Sequence, residues 1–266
     1  PCFPSLIFHP CFTATSMHGV EAGVIENARD AMERFFALPE NDKRAVQQRE
    51  HNLRGYIPTM LFGTNTPEAP PTTYEGFNLG VDAPFDDLEV ATSGGLYGPN
   101  LWPDAPEEFR DAITVYWDGV DAVYQRLLGA FALTLGQEED RLTAMFTKQL
   151  TNISLLHYHA RPETIDAPQG DALAHRDTNA ITLLLSSQVG GLQVQGNDGT
   201  YREVTPESGC FVVNMMECWS GGRFHSTMYR VHPPRHLEHF SIGFFAVPDH
   251  NTVVEPLPGL PVNGKP

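Results

Sequence analysis

Residues 174–194, AHRDTNAITLLLSSQVGGLQV, indicate how the C-terminal half of this chain folds. They contain the apolar run NAITLLLSS and lead into the shorter run GLQVQ, and both are typical of β-strands. Asn197-Asp198-Gly199 follows at once, and Asp-Gly between two apolar runs is a strong signal for a tight hairpin turn. The stretch therefore predicts short antiparallel strands joined by turns.

Five further segments after Thr151 have the same character. Each is short, rich in β-branched and aromatic residues, and bounded by turn residues such as Gly221-Gly222. These segments are NISLLHYHA, TYREVT, GCFVVNMM, FHSTMYRV and HFSIGFFAV. Seven short strands in this half of the chain predict an antiparallel sandwich or barrel, because a parallel sheet would need long crossover connections between them.

The first half of the chain has a helical pattern instead. Apolar residues recur three and four positions apart over residues 20–36, which predicts a helix with one buried face that ends before Pro39. A longer helix is predicted over residues 104–136, where Asp104 and Glu107 resemble a capping box and apolar residues again follow a helical spacing. The combination of helices and an antiparallel β core predicts an α+β fold.

The segment between these two helices, residues 52–103, is dense in glycine and proline. We expect loops here, without regular structure, that cover a binding site. The chain then divides into an N-terminal segment 1–103, scaffold helices 104–150, a β core 151–250 and a C-terminal tail 251–266. We expect these parts to form one compact unit.

The composition argues against several classes of function. Hydrophobic residues make up 41% of the chain and charged residues 19%, as in ordinary folded proteins. With 17 basic and 33 acidic residues the formal charge is −16, and such a surface repels nucleic acid and anionic membranes. No apolar run reaches the roughly 18 residues of a membrane helix. The four cysteines include no CxxC pair, which indicates free thiols in a reducing compartment, the cytoplasm.

His175-Arg176-Asp177 is the candidate metal motif. In an extended chain, residues i and i+2 project to the same side, so the imidazole of His175 and the carboxylate of Asp177 can converge on one ion. A third ligand from another strand would complete the facial triad of a non-haem Fe(II) site, which leaves positions open for substrate and O2. The motif alone is weak, because a chain with 11 histidines contains about one H-x-D by chance.

The order of several motifs strengthens this interpretation. LLHYHARPE, AHRDTNAITLLLSSQVGGLQV, GTYREVTPESGCFVVN, GGRFHSTMYRV and FSIGFFAVP follow one another closely. Together they resemble the C-terminal core of the isopenicillin N synthase-like, Fe(II)- and 2-oxoglutarate-dependent dioxygenases. MHGV, ERFFALPENDK, RGY, YEGFNLG and GPNLWP resemble the N-terminal segment of that family. The resemblance covers residues 17–248. Where the family has a strand and a helix before MHGV, this chain has a short unlike leader, which suggests a truncated or divergent N-terminus.

The resemblance implies a double-stranded β-helix, or jelly roll, with iron at one mouth of the barrel. The family binds iron with an H-x-D pair and with a distal histidine in an STxHRV strand. His175 and Asp177 match the pair, whereas Tyr229 occupies the distal position, 54 residues after His175. The family's spacing is therefore kept while the residue type at the third ligand changes.

Several side chains are candidates for the third iron ligand. His157 and His159 flank Tyr158 on a neighbouring strand and are open alternatives, whereas His225 would lie about 13 Å from Tyr229 along its strand. Tyr229 itself is the simplest candidate, because a tyrosine phenolate can bind iron. Ionising a phenol at pH 7 costs roughly 4 kcal/mol, however, and a phenolate favours Fe(III) over Fe(II). Tyr229 filling a lost ligand position is the other interpretation.

The 2-oxoglutarate site departs from the family in a second way. The family clamps the distal carboxylate of 2-oxoglutarate with an arginine two residues before a serine, and here those positions are His239 and Ser241. Arginine is always charged and offers a planar fork, whereas histidine would offer one strong hydrogen bond, and only when protonated. Tyr158 could reach the same carboxylate, and Arg235 could fold in. We expect weak 2-oxoglutarate binding.

Two functions follow from this pattern. The first is an oxygenase in which Fe(II), O2 and 2-oxoglutarate oxidise a small organic substrate by hydroxylation, desaturation or ring closure, with the substrate beneath the loops of residues 52–103 and the C-terminal tail. The second is a jelly-roll binding or partner protein that has lost its full iron and 2-oxoglutarate sites. A cupin-like enzyme of other chemistry fits the order of the motifs less well. The sequence specifies neither the substrate nor an oligomeric state.

Overall fold

The structure is a computed structural model, and it describes residues 12–15, 18–58, 74–84, 86–87, 90, 92, 94–160, 172–205, 207–215, 217–232, 234 and 236–261. The helices are α1 (Ala22–Phe36), α2 (Glu40–Ala45) and α3 (Phe109–Thr134), with a 3-10 turn at Thr143–Met145. The strands before α3 are β1 (Phe12–Thr15), β2 (Gly55–Ile57) and β3 (Tyr74–Gly80). The strands after it are β4 (Asn152–Tyr158), β5 (Ala172–His175), β6 (Ile181–Ser186), β7 (Leu192–Gln195), β8 (Tyr201–Glu203), β9 (Phe211–Met215), β10 (Tyr229–Val231) and β11 (His239–Ala246).

Over these described ranges the strands form two antiparallel sheets. The large sheet has the order β1-β9-β6-β11-β4-β3-β2, and the small sheet has the order β5-β10-β7-β8. Neighbours in the large sheet are often far apart in sequence, as where β11 lies between β4 and β6. The α+β architecture that the sequence predicts is confirmed.

The two faces of the large sheet serve different purposes. On its outer face, alternate residues pack against α1 and α3 in the main core, and Phe35 of α1 meets Phe77 of β3 edge to face with ring centroids 4.8 Å apart. On its inner face, Leu184 and Tyr158 pack with residues of the small sheet, among them Val194. Because side chains alternate along a strand, neighbouring residues of one strand belong to these two separate environments. The candidate site lies on the inner side.

The predicted helices are present with shifted starting points. The first begins at Ala22 and buries one face, as expected, and it ends at Phe36 before Pro39. The long helix begins at Phe109 instead of near Asp104, and no side-chain hydrogen bond caps it, so the predicted capping box is wrong. Residues 104–106 form bends and residues 107–108 a turn instead. The helix ends two residues before Gly136, whose φ of 74° lies in the left-handed region that favours glycine.

Residues 52–103 are not purely loop, as the sequence had suggested, because β2 and β3 lie within them. β3 pairs with β4 along its whole length and is an interior strand of the large sheet. The leader before Met17 likewise contributes β1, which pairs with β9. Residues 59–73, where we expect part of the substrate cover, lie outside the described residues.

All seven predicted strands are present. The Asn197-Asp198-Gly199 turn joins β7 to β8 as expected, with Gly199 at a φ of 78°. FHSTMYRV is a strand only over Tyr229–Val231. Cys210 and Cys218 are free thiols. None of the described helices combines the length and the apolar character that crossing a membrane would require.

Candidate functional site

The site includes a cross-strand pair of residues on the neighbouring strands β5 and β10. His175, the last residue of β5, is the direct partner of Tyr229, the first residue of β10. Side chains at opposed positions of an antiparallel pair share a face, and the two rings lie 4.5 Å apart. The imidazole of His175 is half-exposed whereas Tyr229 is buried, so the pair spans the boundary between the solvent and the space between the sheets.

Asp177 lies two residues beyond β5, and its carboxylate faces the same pair. Its Oδ1 accepts a hydrogen bond from the Tyr229 hydroxyl at 2.8 Å and lies 3.7 Å from Nε2 of His175. Its Oδ2 accepts hydrogen bonds from Thr182 at 2.5 Å and from Asn214 at 3.3 Å. The structure thus brings together the three side chains that the sequence names as iron ligands.

The spacing of these donor atoms is compatible with one metal ion. Adjacent ligands of an octahedral ion with bonds of about 2.1 Å are separated by roughly 3 Å. The separations measured from Asp177 Oδ1, 2.8 Å to the Tyr229 hydroxyl and 3.7 Å to His175 Nε2, lie on either side of that value. One imidazole, one carboxylate and one phenol oxygen therefore offer a face of three donors, although the phenol is an unusual third member.

The Tyr229 phenol is strongly held in its protonated form. Burial raises the pKa of Tyr229 far above its usual value, and the negative charge of Asp177 and the hydrogen bond to it raise it further. Without an ion, the hydroxyl is therefore a donor to Asp177 and not a phenolate. A bound cation would place a positive charge beside the phenol and would favour the phenolate. If Tyr229 is a ligand, iron must supply this positive charge.

Thr182 and Asn214 hold Asp177 in place, a role that the sequence pattern did not reveal for either of them. Thr182 lies on the inner face of β6, and its hydroxyl accepts a hydrogen bond from the Asn179 amide while it donates to Asp177. The Asn214 amide oxygen accepts the backbone N–H of Met215 at 3.0 Å, which turns the Asn214 NH2 toward Asp177. A polar residue in the apolar run ITLLLS is the signal that could have identified Thr182.

The three predicted cosubstrate residues lie on the inner face of β4 and β11. His239 and Tyr158 are direct cross-strand partners, their rings are 5.2 Å apart edge to face, and Ser241 follows two residues along β11. All three are buried. The Tyr74 ring packs at a tilt against Tyr158 with ring centroids 4.8 Å apart, and it adds an aromatic wall that the sequence did not indicate.

His239 is a neutral group in this environment. Burial lowers the pKa of His239 to about 4, so the imidazole carries no charge at neutral pH. Its Nδ1 shares a hydrogen bond of 2.8 Å with the Ser187 hydroxyl. His239, Ser241 and Tyr158 therefore offer a carboxylate neutral hydrogen-bonding groups where the family offers a planar cation.

The neutral state of His239 makes stability depend on pH. As pH falls, the unfolded chain protonates this histidine near its ordinary pKa of about 6.5, whereas the folded chain resists until about pH 4, so folding stability is lost across that interval. Between pH 7 and pH 4.5, we expect the free energy of unfolding of the wild type to fall by about 2 kcal/mol more than that of His239→Gln. Denaturant unfolding at both pH values measures the difference.

His236→Gln is the control for this experiment, because His236 is an exposed histidine three residues away. Its variant should keep the wild-type dependence on pH. Equal losses of stability in the wild type and in His239→Gln would show that the protonation of His239 is not resisted by the fold.

The alternative third ligands lie elsewhere. His157 is on the outer face of β4, where its Nδ1 is 2.9 Å from Glu75, and His159 lies beside it with ring centroids 4.4 Å apart. The sheet therefore separates His157 from Tyr229, and this alternative is wrong. His225 lies 3.7 Å from the half-exposed carboxylate of Glu217. Arg235 lies outside the described residues.

Two family models match this chain. Residues 11–105 match the N-terminal domain described as non-haem dioxygenase in morphine synthesis, and residues 150–248 match the 2OG-Fe(II) oxygenase superfamily. The second match includes all six predicted site residues. Fe(II) and 2-oxoglutarate are the metal and the cosubstrate typical of that superfamily.

Two individual relatives also point to this superfamily by their sequence identity. The 2-oxoglutarate-Fe(II) type oxidoreductase hxnY of Emericella nidulans is 34% identical over 83% of this chain and 66% of its own length, so this chain spans slightly less than two thirds of that relative. A 2-oxoglutarate-dependent dioxygenase of Didymella fabae is 31% identical over 86% of this chain and 72% of its own length.

The fold also agrees with a solved structure. A full-length Neurospora crassa protein, solved in complex with alpha-KG, superposes with a TM-score of 0.80 at 27% identity, covering 93% of this chain and 78% of the Neurospora chain. The two antiparallel sheets therefore correspond to the double-stranded β-helix of this superfamily. The chain belongs to the 2OG-Fe(II) oxygenase superfamily, among the isopenicillin N synthase-like members that carry the dioxygenase N-terminal domain.

Proposed function

We propose that this protein is a non-haem iron oxygenase that oxidises a small organic molecule, by hydroxylation, desaturation or ring closure, with 2-oxoglutarate as cosubstrate. The observation that carries the proposal is the convergence of three side chains: the Tyr229 hydroxyl lies 2.8 Å and His175 Nε2 lies 3.7 Å from Oδ1 of Asp177. We assign the binding of iron to these three side chains and the binding of 2-oxoglutarate to Tyr158, His239 and Ser241. The proposed unit extends over the N-terminal segment 1–103, the scaffold helices 104–150, the β core 151–250 and the tail 251–266.

The iron, the cosubstrate and the side chains of the site would each have a separate role. Bound iron would supply the activation of O2, and 2-oxoglutarate would supply two electrons on decarboxylation. Asp177 provides the negative charge that attracts the cation, and Thr182 and Asn214 fix the direction of its carboxylate. The apolar lining of Leu192, Val194 and Val231 between the sheets excludes water from the inner side.

The cosubstrate side chains bind by hydrogen bonding without a formal charge. His239 is neutral at pH 7, and Ser241 and Tyr158 are uncharged. Hydrogen bonds between a carboxylate and neutral donors are weaker than a bidentate pair with arginine. We therefore propose that 2-oxoglutarate binds more weakly here than it would beside an arginine.

The experiment that tests the iron site is an anaerobic Fe(II) titration of the wild type and of Tyr229→Phe, followed by metal analysis. We expect one Fe(II) per chain in the wild type with micromolar affinity or better, and at least a tenfold loss in Tyr229→Phe, because the variant lacks one donor atom. On oxidation to Fe(III), the wild type should show a visible phenolate-to-iron charge-transfer band that the variant lacks. An unchanged affinity and spectrum in Tyr229→Phe would exclude the phenol as a ligand.

A second candidate function is a binding protein that has lost its oxygenase chemistry. The observation that favours it is the hydrogen bond from the Tyr229 hydroxyl to Asp177, which directs the phenol proton at the carboxylate oxygen that iron would need. Under this alternative, the wild type binds no Fe(II) at micromolar concentration. Tyr229→His then restores a histidine at the family's distal position, and it should create both iron binding and 2-oxoglutarate turnover.

A further inference from the structure

A second set of metal-binding side chains lies on the outer face of the large sheet. Glu75 of β3, His157 of β4 and Phe240 of β11 are cross-strand partners in one row. The neighbouring residues Tyr158 and His239 point to the inner face. Because successive residues of a strand project to opposite faces, the sheet lies between this set and the oxygenase site.

Glu75 is a buried, ionised carboxylate that accepts hydrogen bonds from several groups. Its Oε2 accepts from the Lys43 ammonium at 2.7 Å and from the Tyr56 hydroxyl, and its Oε1 accepts from Nδ1 of His157 at 2.9 Å. Burial alone would raise the pKa of Glu75, but the hydrogen bonds from His157, Lys43 and Tyr56 outweigh it and lower the pKa to about 2. Glu75 therefore fixes the orientation of the His157 ring.

This orientation leaves the other nitrogen of His157 in an unusual position. A hydrogen bond to an ionised carboxylate requires the proton on Nδ1, so in the neutral ring the lone pair is on Nε2. Nε2 is buried and has no hydrogen-bond partner, and Oε1 of Glu238 lies 3.6 Å from it. A histidine that donates Nδ1–H to a carboxylate and presents Nε2 is the arrangement in which histidine usually binds a metal ion.

His159 adds a second imidazole. Its ring meets the His157 ring edge to face with centroids 4.4 Å apart, and its Nε2 lies 3.7 Å from Oε1 of Glu75. Ligand atoms of Glu75, His157 and His159 all lie within 4.8 Å of one another.

We propose that His157, His159 and Glu238 bind a divalent cation of the zinc class, with Glu75 as the carboxylate that orients His157. Two ligands of a tetrahedral zinc ion with bonds of 2.0 to 2.1 Å are roughly 3.4 Å apart, close to the 3.6 Å between His157 Nε2 and Glu238 Oε1. Two imidazoles and a carboxylate form a donor set that zinc accepts readily, with water as the fourth ligand.

The charges around this site allow a cation. Lys43 is a positive group beside this site, but its ammonium binds Oε2 of Glu75, whereas His157 faces Oε1. Glu238 and Glu75 supply two negative charges, and Lys43 offsets one of them. The ion would connect the end of β4 to the turn before β11, so its expected effect is structural.

The test uses a variant in which the oxygenase site cannot bind metal, His175→Ala with Asp177→Ala, stripped of metal by a chelator. Calorimetric titration with Zn(II) should give one zinc per chain with micromolar affinity or better. Adding His159→Ala should weaken zinc binding at least 100-fold, and adding Glu238→Gln should weaken it about tenfold. His159 is half-exposed, so its removal leaves the core intact. His51→Ala, which removes an exposed imidazole outside the cluster, should change nothing.

A second measurement separates a bound ion from weak surface binding. Zinc at about 100 times its dissociation constant should raise the Tm of the His175→Ala, Asp177→Ala protein by about 5 °C, and His159→Ala should abolish this rise while leaving the zinc-free Tm unchanged. Zinc that fails to bind, or that binds equally well after His159→Ala, overturns the proposal. Equal affinity after Glu238→Gln overturns the assignment of Glu238 as a ligand.

Discussion

Replacing Asp177 by asparagine should lower Fe(II) affinity at least 100-fold, the largest loss that we expect from any single change in the oxygenase site. Asp177 brings a negative charge to the ion, and an amide neither carries that charge nor binds Fe(II) comparably. Changing even a group that only orients a ligand typically costs 10- to 100-fold in metal affinity, so removing a ligand should cost more. Anaerobic calorimetric titration with Fe(II), with metal analysis of the dialysed protein, measures the loss.

The same change should also lower stability. Asp177 accepts hydrogen bonds from Thr182, Asn214 and Tyr229, and an asparagine would place an NH2 group against at least one of these donors. A buried donor without an acceptor costs about 1 to 3 kcal/mol. We therefore expect the metal-free Tm of Asp177→Asn to fall by several degrees.

Glu217→Gln is the matched control for Asp177→Asn. Glu217 is a half-exposed carboxylate that accepts a hydrogen bond from Arg176 at 3.2 Å, so this variant removes the same charge close to the motif without touching a proposed ligand. Its Fe(II) affinity should match that of the wild type. If Asp177→Asn keeps its affinity, or if both variants lose the same amount, Asp177 does not bind the ion.

The strands of the β core could be predicted because each strand's own residues show which of its faces is buried. Runs such as ITLLLS and HFSIGFFA are apolar on the face toward the helices, and short turns bound them, so the local pattern is sufficient. β3 could not be found in this way, because YEGFNLG contains two glycines and a buried glutamate. β3 is held as a strand by its pairing with β4, whose residues lie more than 70 positions away in the sequence.

The same distinction applies to the sites. The pairing of His175 with Asp177 follows from two residues of one extended segment, so the sequence could suggest it. Thr182 and Asn214 were not assigned as the groups that hold Asp177, because their role depends on the register between β6 and β9. The Glu75 cluster joins residues from α2, β2, β3 and β4, and strand parity alone could not place His157 on the face opposite to Tyr158.

Replacing His239 by arginine should tighten the binding of 2-oxoglutarate by about 10- to 100-fold. His239 lies on the inner face of β11 beside Ser241, and an arginine there would present a permanent cation to the proposed carboxylate position. Hydrogen bonds to charged groups contribute about 1.5 to 3 kcal/mol, which corresponds to this range of affinity. Anaerobic calorimetric titration of the iron-loaded protein with 2-oxoglutarate measures it.

The cost of this change should appear in the protein without ligand. His239 is 1% exposed, so an arginine without a counter-ion would be a buried, unpaired charge, which is strongly destabilising. We expect the Tm of His239→Arg without 2-oxoglutarate to fall below that of the wild type, and 2-oxoglutarate to raise it by more than it raises the Tm of the wild type. Compared with an arginine, the neutral His239 therefore keeps the ligand-free protein more stable but binds the dicarboxylate less tightly.

His236→Arg separates a local effect from a general one. His236 is exposed in the turn before β11, so an arginine there adds the same charge to an acidic protein without entering the space between the sheets. If both arginine variants improve 2-oxoglutarate binding equally, long-range attraction explains the gain. If neither does, the carboxylate does not bind beside His239. A gain confined to His239→Arg, together with its lower Tm without ligand, would locate the distal carboxylate at the start of β11, because only a group within hydrogen-bonding reach can neutralise a buried guanidinium.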